Sequence, residues 1–414
     1  MRILWLSNKI QSNVDSGTTG TWLDAMAQLL VKSGEVELGN IALGPVARTT
    51  RQDCGPIQQW VVPAKAKPQL NGLPAQRFVE EITRAVYEFN PDLVHVWGTE
   101  CFWGLLTARR IIRYPALLEM QGLKGIIARV FDGGLSIREQ LACIGLKEVI
   151  RGCTIFQSRR RFEKWGVFEK EMIRGHRFVT TQSEWLCAHI VSINPSCRVF
   201  HNDFMLRESF YTALPWKASN SMAVFCSAAY PSPFKGLHVA LRAIAILKQR
   251  FPGVQLRIAG AHQRSDIRQD GYVRWLNHQI ARLGIADNVC WLGALSAEEI
   301  VAELQGCAAI VVPSFIEGYC LGLAEGMMLG VPSVNSFAGG MSSLAKDEES
   351  ALFFQPGDAE MCAHQLGRLL TDRALAERLS HNARAIALVR NDPQRILQKQ
   401  LEIYQQVIAE SNKR

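Results

Sequence analysis

The sequence has 414 residues, 48% hydrophobic and 20% charged, which is too long for one ordinary core and too apolar for a disordered chain, so two large folded domains are expected. Eleven scattered cysteines without a C-x-x-C pair exclude a zinc cluster and a secreted disulfide framework, and no apolar run approaches the roughly 18 residues that cross a bilayer. The net charge of +8 is concentrated: between residues 108 and 178 fifteen Lys or Arg stand against seven carboxylates, a surplus of eight that leaves the rest of the chain neutral.

Short aliphatic runs alternate with longer stretches of helical period, the pattern of an α/β protein with parallel sheets and crossover helices. The first strand is expected at Arg2–Ser7, followed by a loop over 8–20 and a helix over 21–31. Further strands are expected at 36–42, 58–62, 93–97 and 116–119. Pro74 is placed in the first turn of a helix that carries Phe78, Ile82, Val86 and Phe89 on one side. The periodic pattern lapses between Leu206 and Ser221, which sets the domain boundary: residues 1–213 form one domain and 221–391 another. In the second series, strands at 222–227, 255–259, 288–292, 308–312 and 333–334 alternate with helices at 237–249, 272–283, 297–304 and 321–329. A final helix in 392–414 opens with Asp392-Pro393, a cap and first-turn pair, and carries Leu397, Leu401, Tyr404 and Ile408 on one stripe. The apolar run at the start, Ile3 to Leu6, is too short for a secretory signal, so the chain is expected to stay in the cytoplasm.

The richest cluster is Pro313-Ser314-Phe315-Ile316-Glu317-Gly318-Tyr319-Cys320-Leu321-Gly322-Leu323-Ala324-Glu325-Gly326, directly after a strand expected to be buried. Its two carboxylates bracket a loop that becomes a helix. Glu317 then falls at the carboxyl edge of the sheet, where open α/β sheets bind ligands, and Glu325 on the ligand side of the helix. The amides of Gly318, Tyr319, Cys320 and Leu321 belong to a helix start, whose N–H groups lack internal partners and favour an anion.

These residues resemble the E-x7-E motif of the family 4 glycosyltransferases, retaining enzymes of the GT-B fold that use nucleotide-activated sugars. The resemblance continues, in the family's order, through Leu292-Gly293-Ala294-Leu295, Val312-Pro313-Ser314, Glu325-Gly326-Met327, Gly330-Val331-Pro332-Ser333-Val334 and Gly339-Gly340. Earlier in the chain, Lys235-Gly236 resembles the family's diphosphate-binding lysine and glycine, and Ser16-Gly17-Thr18-Thr19-Gly20 more loosely resembles its N-terminal glycine loop. Three positions depart from the pattern: Ser227-Ala228-Ala229 stands where the family commonly has an arginine, Gln121 where it often has a histidine, and Cys320 where it prefers glycine.

The resemblance implies two facing, doubly wound Rossmann-like domains, with the donor held by 221–391, the acceptor by 1–213, and the last helix (392–414) crossing back to the first domain. It implies that Lys235, with Gly17, Gly20 and the amides of Gly318, Tyr319, Cys320 and Leu321, compensates the leaving diphosphate. Glu325 accepts the ribose hydroxyls and Glu317 orients the transferred sugar, so Lys235 and Glu317 are the expected catalytic pair. His95 and Gln121 fall on the acceptor or sugar side. The implied activity is retaining glycosyl transfer from a nucleotide-diphosphate sugar to a saccharide or glycolipid, in polysaccharide or glycolipid biosynthesis. The departures leave as alternative a catalytically weak paralogue that binds a sugar nucleotide or partner without transfer. No cofactor is implied, and the chain lacks any D-x-D triplet, which argues against obligatory metal chelation of the nucleotide.

A dehydrogenase reading fails because the first strand is not followed by G-x-G-x-x-G. Nucleic-acid binding lacks a zinc motif or an aromatic-interleaved one, so no nucleic-acid partner is expected. The basic stretch is interleaved with Phe156, Phe162, Trp165, Val167 and Phe168, which points to peripheral contact with an anionic membrane surface on the inner side of the cell membrane.

Overall fold

The computed structural model describes residues 1–12, 21–227, 232–260 and 270–413. Gly17, Gly20, Ala228 and Ala229 lie outside the described residues. The chain forms two compact units: residues 1–125, 164–205 and 391–414 make the first, and 126–163 with 206–390 make the second. The linear division at 213 and 221 therefore differs from these units in two places: the excursion of 126–163, and residues 206–213, which also belong to the second unit.

Among the described residues the first unit holds eight strands: β1 Arg2–Ser7, β2 Glu37–Gly44, β3 Thr50–Arg51, β4 Gln58–Pro63, β5 Leu93–Trp97, β6 Ala116–Glu119, β7 Phe178–Thr181 and β8 Arg198–His201. Their order is β3-β4-β2-β1-β5-β6-β7-β8, parallel throughout except for the short β3, which runs antiparallel to β4 at the edge. Covered on both faces, the central β1 has no polar alternation, and Ile3, Leu4, Trp5 and Leu6 are all fully buried. The helix Gln76–Phe89 buries the side expected from its period, Phe78, Ile82, Val86 and Phe89, together with Val79 and Ala85. Each such aliphatic or aromatic side chain contributes roughly 1.5–3 kcal/mol on burial. Pro74 is not in the first turn of that helix; it precedes the cap residue Ala75.

The helix Pro393–Ser411 belongs to the first unit. Asp392 caps it by accepting from the Arg395 amide at 2.7 Å. Leu397, Leu401 and Tyr404 are buried as the stripe requires, but Ile403 and Val407 complete the buried side and Ile408 is only half-buried. Polar contacts fix its register: Trp5 Nε1 donates to the Tyr404 hydroxyl at 3.1 Å, and Asn202 Nδ2 donates to Gln400 Oε1 at 3.0 Å.

Among its described residues the second unit has six strands, β9 Ala223–Ser227, β10 Gln255–Ala259, β11 Val289–Gly293, β12 Ala309–Val312, β13 Ser333–Ser336 and β14 Leu352–Phe354, in the all-parallel order β11-β10-β9-β12-β13-β14. Strand order reverses at β9, which opens the crevice between the loops that follow β9 and β12. The 126–163 excursion is tied to this unit by long-range bonds that no local period could reveal. Gly271 N donates to Glu148 Oε1 at 3.1 Å, Arg274 to the Ile144 carbonyl at 3.1 Å, and Arg242 to Glu139 at 2.8 Å. His238 lies between Tyr272 and Gly133: its Nε2 is 3.0 Å from the Gly133 carbonyl, which can only accept, so Nδ1 is the nitrogen that accepts from the Tyr272 hydroxyl at 2.8 Å.

Candidate functional site

The site lies in the second unit, where two loops are fastened backbone to backbone. After β9 the chain makes a tight turn, Pro233–Lys235, and enters the helix Leu237–Lys248 through Gly236 in the left-handed conformation (φ 70°). A Cβ on Gly236 would stand 1.8 Å from the Pro313 carbonyl oxygen, so only glycine fits against the end of β12. Next to it, Phe315 N donates to the Phe234 carbonyl at 2.7 Å. From the other side, Gly340 N donates to the Glu317 carbonyl at 2.9 Å, and Gly339 (φ 56°) leaves no room for a Cβ, which would sit 2.2 Å from that same oxygen.

This fastening brings Lys235 and Glu317 together across 82 residues of sequence: Lys235 Nζ donates to Glu317 Oε1 at 2.7 Å. Ser314 Oγ donates to the same oxygen, also at 2.7 Å. Burial pulls the Lys235 pKa down, but the Glu317 carboxylate more than offsets it and the net shift is upward, so the ammonium is held charged.

The helix Leu321–Leu329 is apolar on nearly every side, as a helix enclosed between layers must be, and ends at Gly330 (φ 80°). Cys320 occupies its cap position and makes no side-chain hydrogen bond to the first-turn amides. Gly318, Cys320 and Leu321 are half-buried and Tyr319 is buried. Burial pushes the Cys320 thiol up to about 12, which makes it a neutral group and a poor nucleophile. Glu325, one turn into the helix, is buried and takes both Arg207 donors on one oxygen, Nε at 3.0 Å and Nη2 at 2.8 Å to Oε1. Burial raises its pKa, with Arg207 opposing.

In the first unit His95 is fully buried, 2.8 Å from the Tyr404 hydroxyl through Nδ1 and 3.4 Å from Glu119 Oε2 through Nε2, and its ring lies 4.2 Å from that of Trp97. It is enclosed on every side by these neighbours. Burial, the larger effect, lowers its pKa against the opposing pull of Glu119. Gln121 is half-buried in the loop after β6, beside Gly98 and Glu100 at the carboxyl edge of the sheet. Among the described residues no group of three or more His, Cys, Asp or Glu is placed to hold a metal ion.

The profile of the family described as "Glycosyl transferases group 1" matches residues 216–386, the stretch that contains Lys235, Ser314, Glu317, Cys320 and Glu325 but not Arg207. The chain carries a group 1 glycosyltransferase domain. Its resemblance to family 4 glycosyltransferases therefore holds in this domain. The D-inositol 3-phosphate glycosyltransferase of Stackebrandtia nassauensis is 32% identical over 153 residues, 36% of this chain and 34% of that protein. The glycogen synthase of Mycobacterium tuberculosis is 29% identical over 150 residues, again 36% of this chain and 34% of the relative. The match thus spans about a third of the length of these curated relatives. Among solved structures, the sucrose-phosphate synthase from Thermosynechococcus elongatus aligns with a TM-score of 0.73 at 16% identity, covering 99% of both chains. Anabaena HepE, solved with UDP and glucose, aligns with a TM-score of 0.65 at 18% identity, covering 97% of this chain and 98% of its own. At such identities the likeness establishes the fold, which is GT-B.

In the glycosyltransferase domain the motif residues and their partners differ in how visible they are. Lys235, Glu317 and Glu325 carry the motif, whereas Arg207 stands in the stretch between the two periodic series and Ser314 is one small residue inside a loop. Sequence gave no signal for Arg207, because its partner is 118 positions away and it belongs to no pattern.

Proposed function

We propose that this chain is a retaining glycosyltransferase that moves a sugar from a nucleotide-diphosphate donor to a saccharide or glycolipid. The observation that carries the reading is the Lys235–Glu317 pair at 2.7 Å, set beside a helix start without a side-chain cap at the point where strand order reverses. Breaking the bond between the anomeric carbon and the diphosphate builds negative charge on the leaving group. A fixed ammonium and the amides of a helix start stabilise that charge more in the transition state than in the ground state. Glu317 uses one of the three Lys235 donors, which leaves two for phosphate oxygens. With both Arg207 donors on Glu325 Oε1, Oε2 is the oxygen for the ribose hydroxyls. Glu317 orients the sugar, and Gly17 and Gly20 complete the diphosphate contacts.

In this reading 221–391 holds the donor, 1–213 holds the acceptor with Gln121 on that side, and 392–414 supports the acceptor domain. The departing phosphate takes the acceptor's proton on the face it leaves, so the anomeric configuration is retained. The protein works in the cytoplasm, in polysaccharide or glycolipid biosynthesis, with peripheral contact to the membrane. UDP-glucose, present in a structure of Anabaena HepE, is the first donor to try.

The test is steady-state transfer with calorimetric nucleotide titration on Glu317→Ala and Glu325→Ala, and anomeric analysis of the product by proton couplings. Glu325→Ala should mainly weaken nucleotide binding, because the ribose is remote from the reacting carbon. Glu317→Ala should reduce transfer and leave nucleoside diphosphate binding nearly unchanged. Wild-type behaviour of both variants would sink the site, and an inverted product would sink the mechanism. Nucleotide binding without transfer to any acceptor would favour the weak paralogue, to which the departures at Gln121 and Cys320 point.

A further inference from the structure

We infer that the outward side of residues 137–151, in the second unit, docks on an anionic lipid bilayer. This goes beyond the transfer reaction and is measured without it. Two short helices occupy the segment, Ile137–Ala142 and Leu146–Arg151. Their polarity is inverted relative to an ordinary surface helix, whose apolar stripe turns inward. Ile137 and Leu141, four apart, are 65% and 55% exposed, and Leu146, Val149 and Ile150, at the three- and four-residue helical spacings, are 70%, 59% and 74% exposed.

The polar groups of the segment are the ones turned inward. Glu139 accepts from Ser136 N at 2.8 Å and from Arg242 at 2.8 Å, while Glu148 is buried and accepts from Gly145 N at 2.9 Å and Gly271 N at 3.1 Å. Gln140 is buried with its amide on the Leu135 carbonyl at 2.7 Å. With Glu148 buried and the half-buried Glu139 paired with Arg242, the exposed charges of the segment are basic: Arg138 and Arg151 are exposed and Lys147 is half-buried, and beyond it Arg160, Arg161 and Glu163 are exposed.

Aliphatic side chains ringed by cations match the hydrocarbon boundary and headgroups of an anionic leaflet. Self-association fits poorly, because a two-fold contact would set this basic surface against its own copy with no outward acid in the segment to pair. The aromatic residues that made the longer helix Ile155–Gly175 attractive as a membrane element are largely engaged within their own units. Phe162 packs edge-on against Phe131 at 5.1 Å, and Trp165 Nε1 donates to the Thr99 carbonyl at 2.7 Å. Docking therefore rests on 137–151 more than on that helix, and no helix among the described residues is long and apolar enough to cross a membrane.

The experiment is co-sedimentation of the full chain with vesicles of phosphatidylcholine alone and of phosphatidylcholine with phosphatidylglycerol, at low and high salt. Binding is expected to the charged vesicles, at least about tenfold above the neutral ones, and to weaken with salt. The double variant Leu146→Ser with Ile150→Ser should lose about tenfold or more, as should Arg138→Gln with Arg151→Gln. Val389→Ser, which alters another exposed aliphatic residue (59%) elsewhere in the same unit, should bind as wild type. Thermal melting of each variant checks that the fold is kept. Equal binding to neutral and charged vesicles, or undiminished binding by the Leu146→Ser and Ile150→Ser variant, overturns the proposal. So does an oligomer of wild type that this variant splits while vesicle binding stays unchanged. Because no donor or acceptor is present, failure here leaves the transfer reading standing, and failure of transfer leaves this result intact.

Discussion

Among the carboxylates that each unit keeps largely out of solvent, one pair in the second unit and one in the first are held by opposite means. In the second unit each meets a cation, Glu325 with Arg207 at 2.8 Å and Glu317 with Lys235 at 2.7 Å. In the first, Glu169 is held by the amides of Lys124 and Gly125, both at 2.8 Å, and the Lys124 ammonium donates to the Glu100 backbone carbonyl at 2.6 Å. One side-chain oxygen of Glu100 is enclosed without a hydrogen bond. Burial pushes the Glu100 carboxyl up to about 7 and also raises Glu169. At Glu325 a guanidinium opposes the upward push of burial, whereas Glu100, enclosed near Glu169, changes charge near neutral pH.

The largest expected effect comes from removing an anchor. Arg207→Ala would leave Glu325 buried without its guanidinium and should destabilise the fold by about 3–5 kcal/mol in urea titration. Unchanged stability would mean that Glu325 does not depend on its cation, and the contrast between the units would collapse.

Glu100→Gln probes the opposite case. In the unfolded chain this carboxyl loses its proton near its ordinary value of 4.5, but in the folded chain it keeps the proton up to about 7. The native state therefore binds more protons in that window, and stability should fall as pH rises through it, by roughly 3 kcal/mol as an upper figure. The glutamine variant should lack this fall when urea titrations at about pH 5 and about pH 8 are compared. A parallel pH dependence in both proteins would remove Glu100 as its source.

Lys235→Ala sharpens the comparison from the functional side. Glu317 keeps its bond from Ser314, so the loss should appear mainly in turnover, lower by about ten- to a hundredfold, equivalent to roughly 1.5–3 kcal/mol of transition-state stabilisation. A stability loss as large as that of Arg207→Ala, with turnover unchanged, would make Lys235 purely structural. The smallest effect should follow Cys320→Ala. With its thiol neutral, transfer should change by less than about twofold, and alkylation of the wild-type residue should be slow at neutral pH.

Legibility in the sequence followed the range of the interactions. The helix Gln76–Phe89 and strands such as β1 and β5 were readable because their burial repeats at a fixed local period. The strands β3, β7, β8 and β14, of two to four residues, were not read; at that length no period shows, and the equally short β6 and β12 were read as aliphatic runs. The E-x7-E loop was readable as a motif, and Lys235 with it. The structural role of His95 depends on Tyr404, 309 positions later, and the placement of 126–163 depends on Arg242, Gly271 and Arg274 more than a hundred positions on. Contacts of that span leave no trace in spacing.

The interleaving of the two units also orders their assembly. As the chain leaves the ribosome, the second unit has all of its residues once Arg390 is made, whereas the first still lacks the helix Pro393–Ser411. Until that helix arrives, the Trp5 indole and the His95 imidazole have no Tyr404 hydroxyl between them, and the buried side of the helix has not yet covered its share of the first sheet. The nascent protein thus passes through a stage in which the second unit can be mature and the first cannot, a stage at which a chaperone would find exposed apolar surface on the first unit alone.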